Sequence, residues 1–196
     1  MMKQNKTKII VGLGNPGKIY ENTPHNMGNM FMQWFFEFIT KEHPDYNITK
    51  WKNNKSVLAK IAVLQIQNTN IILALPNVFM NESGLSVAKI AEFYNASPQQ
   101  IIIIHDDTDL AIGHFKITYG CSSAGHKGIE SIMANIHTQN FWRLKIGVRP
   151  KHLSQSIYRV KAGDFVLKKM TIQNTKIIKN LYPNIAKELL RWIHNT

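Results

Sequence analysis

Three glycines at Gly-x-Gly-x-x-Gly spacing, Gly12, Gly14 and Gly17, follow directly on the apolar run Ile9-Ile10-Val11. A buried strand that feeds a glycine turn points to an α/β arrangement more firmly than any other local signal in this chain. In the dinucleotide-binding form of this turn a helix starts among the glycines, and its N-terminus receives a pyrophosphate. Here Asn15-Pro16-Gly17 is a turn triplet, and the residues up to Pro24 show no amphipathic pattern. No Lys-Ser or Lys-Thr pair follows, so a Walker phosphate loop is excluded as well. The glycines instead predict a tight loop that presents Asn15 at the C-terminal end of a strand, the edge where open α/β sheets bind ligands.

The rest of the chain alternates strand and helix signals. Residues 8–13 read as a buried strand. Met27, Met30, Phe31, Trp34, Phe35 and Phe38 recur at helical spacing and predict a core-facing helix that begins near His25 or Asn26. Residues 43–54 are polar and read as a loop. Residues 57–65 and 70–75 predict a hairpin turning at Asn68-Thr69-Asn70, which makes the sheet mixed. A helix is expected from Ser83 to about Tyr94, a central strand at 101–104, strands at 114–119 and 143–148, and a short helix through Ile129, Ile132 and Met133. From about residue 171 the pattern is helical, with Pro183 as a kink or break. The expectation is a single α/β domain spanning 1–196, a mixed twisted sheet flanked by helices.

Composition narrows the function. Lys and Arg number 24 against 12 Asp and Glu, a net charge of +12, and the positive residues run from Lys3 to Arg191. A folded domain with a basic face suits a polyanion, nucleic acid first. The single cysteine, Cys121, excludes an internal disulfide. No apolar run reaches membrane-spanning length, and no signal-peptide region follows the start, so a cytoplasmic protein is expected.

Four stretches place polar side chains where folding does not require them: Asn15; Thr23-Pro24-His25-Asn26; Phe79-Met80-Asn81-Glu82-Ser83-Gly84; and His105-Asp106-Asp107-Thr108-Asp109. Helix capping accounts equally well for Asn81, and a surface or capping role for His25. A divalent ion held by His105, Asp106, Asp109 and His126 is a rival use of the last stretch, but no ligand spacing here is diagnostic. Taken together, one His, one Asp and several Asn without a persuasive Ser or Cys nucleophile suit water attacking an acyl carbonyl. His takes the proton, Asp holds the other ring nitrogen, and amides bind the carbonyl and substrate backbone.

Residues 12–17 with Tyr20 and His25-Asn26 resemble the opening signature of the bacterial peptidyl-tRNA hydrolases. The segments 79–84, 105–110, 124–128 and 143–150 are similar to that family's later motifs, in order. The resemblance implies hydrolysis of the ester between peptide and tRNA by a monomeric, cytoplasmic enzyme. It implies no metal or other cofactor, no membrane and no obligate protein partner. It assigns His25 as general base, Asp106 as its stabiliser, and Asn15 as discriminating peptidyl from free aminoacyl ends. Tyr20, Phe79, Met80 and Asn81 would line the substrate crevice, and Lys127 and Lys145 would contact tRNA. Three departures stand out. Lys127 replaces the family's usual Asn, Cys121-Ser122-Ser123-Ala124 alters the glycine-rich loop, and Thr118 and Lys145 occupy positions that are usually more basic or bidentate. A non-catalytic RNA-binding relative is the competing reading.

Overall fold

The computed structural model describes residues 6–150, 163 and 165–195; the N-terminal residues 1–5 lie outside them. Strands β1 (Lys6–Gly12), β2 (Asn47–Ile48), β3 (Lys52–Asn54), β4 (Ala59–Ile66), β5 (Thr69–Pro76), β6 (Ile101–Ala111), β7 (Phe115–Tyr119) and β8 (Trp142–Arg149) form one eight-stranded sheet. Its order is β2-β4-β5-β1-β6-β8-β7, with β3 also on β4. The four central strands β5, β1, β6 and β8 are parallel, while β4 and β7 run antiparallel at either side. The sheet is therefore mixed, and its antiparallel part includes the predicted hairpin. That hairpin turns one residue earlier than expected, at Gln67-Asn68, so that Thr69 already pairs with Ile66.

Helices cover both faces, which is why Ile9–Val11 of β1 and the first half of β6 are continuously apolar. Successive side chains point to opposite faces of a strand. Ile10, Ile102 and Ile104 thus join one core with α1 (Met27–Glu42) and the C-terminal helices α4 (Ile172–Lys179) and α5 (Tyr182–Asn195). Ile9, Val11, Ile101 and Ile103 join the other, with α2 (Ser83–Phe93) and α3 (Lys127–Ile136). The aromatic stripe of α1 is core: Phe31 and Phe35 are fully buried, and Phe31 meets Tyr182 of α5 edge to face. Pro183 sits in the first turn of α5, where its missing N–H costs nothing, so the tail is two helices rather than one bent one. Lys8 on β1 donates to the carbonyls of Trp192 and Ile193 and ties α5 to the sheet. Burial, with Lys6 nearby, pulls its ammonium down to about 8.

Two elements differ from the sequence expectation. The polar stretch 43–54 contains the short strands β2 and β3, both on the outer edge of β4. Their side chains are mostly exposed, so no alternation marks them. More consequentially, the central strand does not stop at Ile104. It runs on through His105–Asp109 to Ala111, paired with β8 alone after β1 has ended. Beyond Ile104 one edge of β6 is thus released from β1, whose chain turns away at Leu13.

Candidate active site

The crevice is built where the parallel strands end. Leu13 donates to the Ile104 carbonyl, and Asn29 donates to the Leu13 carbonyl, so the glycine loop joins β1 and β6 to the start of α1. Gly28 permits this: a Cβ there would fall 2.1 Å from the Ile104 carbonyl oxygen. The short turn Pro24–Asn26 just before α1 is thereby seated beside the extension of β6. His25 occupies that turn, and its backbone N–H donates to the Val166 carbonyl.

His25 and Asp106 meet. Nδ1 of His25 lies 3.1 and 3.0 Å from the two carboxylate oxygens of Asp106. Asp106 is 1% exposed and His25 partly so. A second imidazole shares the carboxylate, with Nε2 of His126 3.0 Å from Oδ1. His126 is the N-cap of α3, where its Nδ1 accepts from the N–H groups of Gly128 and Ile129. That nitrogen therefore carries no proton, and Nε2–H donates to Asp106. Asp106 then takes an N–H from each ring, so Nδ1 of His25 is protonated and its Nε2 holds the lone pair. Burial works against the ionised carboxylate. The adjoining His126, together with the hydrogen bonds from both rings, more than offsets it and holds Asp106 well below the usual carboxylate range.

The surrounding polar residues are largely committed to one another. His105 donates from Nδ1 to the Asp106 carbonyl at 2.7 Å, and burial holds its ring well below the usual imidazole range. Lys145 is buried against Asp107 at 3.3 Å, and Asp107 also accepts the N–H groups of Asp109 and Leu110. Lys127 is exposed at the first position of α3 and pairs with Glu130 at 3.0 Å. His25, His105, Asp106, His126, Lys127 and Lys145 line one open cavity.

Asn15 lines a neighbouring hollow with Asn26 rather than this one. Its Oδ1 accepts the Met80 N–H at 2.7 Å, and its backbone exchanges two hydrogen bonds with the Asn26 side chain. Asn15 thus fixes the segment after β5. Met80 itself is 4% exposed and packs toward the start of α3, where a Cβ on Gly128 would strike its sulfur. Tyr20 and the half-exposed Phe79 meet edge to face with ring centres 6.3 Å apart. Asn81 is exposed in the turn Met80–Glu82, and α2 takes no side-chain cap from it.

The cluster that proximity would nominate for a metal is His25, Asp106 and His126, with ligand atoms within 4.8 Å of one another. His105 and Asp109, named in the rival metal reading, are not in it; Asp109 pairs with Arg149 on β8. The donor set fits a metal poorly. A neutral imidazole that binds metal through Nε2 carries its proton on Nδ1, and Nδ1 of His126 faces two backbone N–H groups. Sequence reasoning placed His126 in a motif and offered it as a ligand in the rival metal reading, but gave it no part in the hydrolytic site. The available signal was its position one residue before an amphipathic helix, where a side-chain acceptor is expected.

The family profile described as peptidyl-tRNA hydrolase matches residues 9–196. The chain belongs to the peptidyl-tRNA hydrolase family. It is 36% identical over 187 residues to the peptidyl-tRNA hydrolase of Aquifex aeolicus, covering 95% of this chain and 90% of that one. It is 34% identical over 180 residues to the peptidyl-tRNA hydrolase of Francisella tularensis subsp. novicida, covering 91% and 87%. Among solved structures, the peptidyl-tRNA hydrolase of Acinetobacter baumannii superposes with a TM-score of 0.76 at 31% identity, covering 93% of this chain and 86% of that one. The family's α/β fold, a mixed sheet between helices, is the fold described above.

Proposed function

We propose that this protein hydrolyses the ester joining peptide to tRNA in peptidyl-tRNA, with water activated by His25. Family membership supports the reaction class. The observation that carries the mechanism is the His25–Asp106 pair in a cavity wall, with Nδ1 committed to the carboxylate and Nε2 left as acceptor. Nε2 takes a proton from water as the oxygen attacks the ester carbonyl. Asp106 steadies the imidazolium that forms. The carbonyl oxygen becomes an oxyanion, and on collapse the bond to the ribose oxygen breaks. The imidazolium returns its proton to that oxygen, which frees tRNA and peptide acid. No covalent intermediate is needed.

In this reading Asn15, with Oδ1 holding Met80, offers its Nδ2 donors to the neutral amide of a peptidyl end. A free aminoacyl end would present a cationic, strongly hydrated amine there instead. Tyr20, Phe79, Met80 and Asn81 are not among the residues lining the His25 cavity, and in this reading they would meet the peptide and terminal nucleotide beyond it. Lys127 and Lys145 add positive charge to the cavity, and the net charge of +12 draws the RNA. The reading takes residues 1–196 as one domain acting as a cytoplasmic monomer, without metal, cofactor, membrane or obligate partner.

The test offers N-acetylated aminoacyl-tRNA and free aminoacyl-tRNA to the purified protein with chelator present. Cleavage of the first alone is expected, and His25→Ala should abolish it while tRNA binding persists. If neither substrate is cleaved yet tRNA binds, the protein is a binding relative. If activity is lost with chelator and returns with a divalent ion, the metal-free mechanism is wrong.

A further inference from the structure

We propose that His126 is a positioning residue for the hydrolysis, acting through Asp106 to fix which nitrogen of His25 faces the reacting water. The inference rests on the reading of His25 as the base. The terminal torsion of an aspartate is broad and nearly two-fold, so a carboxylate held by one partner can turn. Asp106 is held at two points. Nε2–H of His126 reaches Oδ1 at 3.0 Å, while Nδ1 of His25 lies 3.1 and 3.0 Å from Oδ1 and Oδ2. With Oδ1 taken by His126, the plane of the carboxylate is set, and Oδ2 is directed at His25.

His126 suits this task because its own state is decided elsewhere. Nδ1 accepts from the first N–H groups of α3, so the ring can be neither the base nor a freely turning donor. The helix behind it is held in turn. Gly84 of α2 donates to the Ser131 hydroxyl at 3.0 Å, and a Cβ on Gly84 would fall 2.1 Å from the Ser131 carbonyl oxygen. Among the described residues, the remaining ionisable groups of the cavity do not compete for Asp106. His105 packs edge-on against His126 and gives its Nδ1–H to the Asp106 backbone. Lys145 and Asp107 pair with each other, and Lys127 pairs with Glu130. A rigid line therefore runs from α2 through α3 and His126 to the base.

Two substitutions separate this role from helix capping. Asn is a good N-cap but too short to reach Asp106, so His126→Asn keeps the cap and removes the N–H donor. His126→Ala removes both. With N-acetylated aminoacyl-tRNA, both variants should lose about 10–100-fold in kcat while KM changes less than about threefold. His126→Ala, which loses the cap as well as the donor, should lower the melting temperature further than His126→Asn. Nitrogen NMR of histidine-labelled protein should show His25 as a single Nδ1–H tautomer in the parent and as a mixture in His126→Asn. A His126→Asn protein with parental kcat and an unchanged His25 spectrum overturns the proposal. His25→Ala is run alongside. If it stays active, the assignment of the base has failed; if it is dead while His126→Asn is normal, only the positioning role has.

Discussion

Gly28 stands against Ile104 so closely that a single added carbon would lie 2.1 Å from the Ile104 carbonyl oxygen. This contact between the first turn of α1 and the last residue of β6 that β1 pairs sets the distance from His25 to Asp106. Substitution Gly28→Ala must push the helix away from backbone, which cannot yield as a flexible side chain would. We expect a loss of about 1–3 kcal/mol in urea denaturation. Ester hydrolysis should fall further than stability alone predicts, because the turn that carries His25 moves with the helix. Parental activity in a folded Gly28→Ala protein would show that the contact does not position the base.

Asp106→Asn keeps the volume but offers one acceptor oxygen to two imidazole N–H donors. One ring must then face an amide N–H, and the charge that steadies the imidazolium is gone. We expect kcat to fall by about 10²–10⁴-fold, with tRNA binding retained. Steady-state kinetics beside a filter-binding measurement check this, and a loss of binding equal to the loss of rate would contradict it.

Acid should weaken the fold in two stages. The native His105 ring resists a proton that the unfolded chain accepts near its ordinary value of 6.5. Its contribution is complete above that pH and declines as pH falls below it, at up to about 1.4 kcal/mol per pH unit for one proton. Asp106 behaves in the same direction at lower pH. Its native value is depressed, so its contribution is full above the unfolded value of 3.8 and is lost as pH falls from there. Denaturation midpoints measured between pH 7.5 and 5 should fall less steeply in His105→Asn. Identical slopes would place the first stage on another group.

Cys121 should alkylate as a thiolate. Burial raises its thiol, but hydrogen bonds from the Thr118 hydroxyl and the Arg143 guanidinium, with Arg143 and Lys145 as nearby charges, bring it below the usual range. Reaction with iodoacetamide, followed against pH, should reach its half-maximal rate at lower pH than for free cysteine. Thr118→Val, which removes the 3.3 Å contact to the sulfur, should move that midpoint upward. An unshifted midpoint in the variant would assign the effect to the cations alone.

The apolar strands and the Met-aromatic stripe of α1 were readable in the linear chain, because burial on one face or both imposes a period on the residues themselves. The end of β6 was not. His105-Asp106-Asp107-Thr108-Asp109 carries no strand pattern, and it stays extended because β8 continues beside it after β1 has turned away. The edge strands β2 and β3 were equally silent, being formed by pairing rather than by burial. Asn15, His25 and Asp106 could be named from polar residues at strand ends and helix starts. The near burial of Lys145 against Asp107, and the separation of Asn15 into its own hollow, could not be.

By itself, then, the order of residues determined the α/β class and the sheet edge that carries the candidate site, through local periodicity and turn chemistry, which neighbours along the chain encode. The roles of His25 as base and Asp106 as its carboxylate came from the resemblance of those stretches to peptidyl-tRNA hydrolase motifs. Only the tertiary structure decided that His126 shares Asp106 with His25, because that meeting depends on how α3 is seated against α2. A hydrogen bond across 20 or 81 positions leaves no period in the sequence. It exists only once the helices have closed over the sheet.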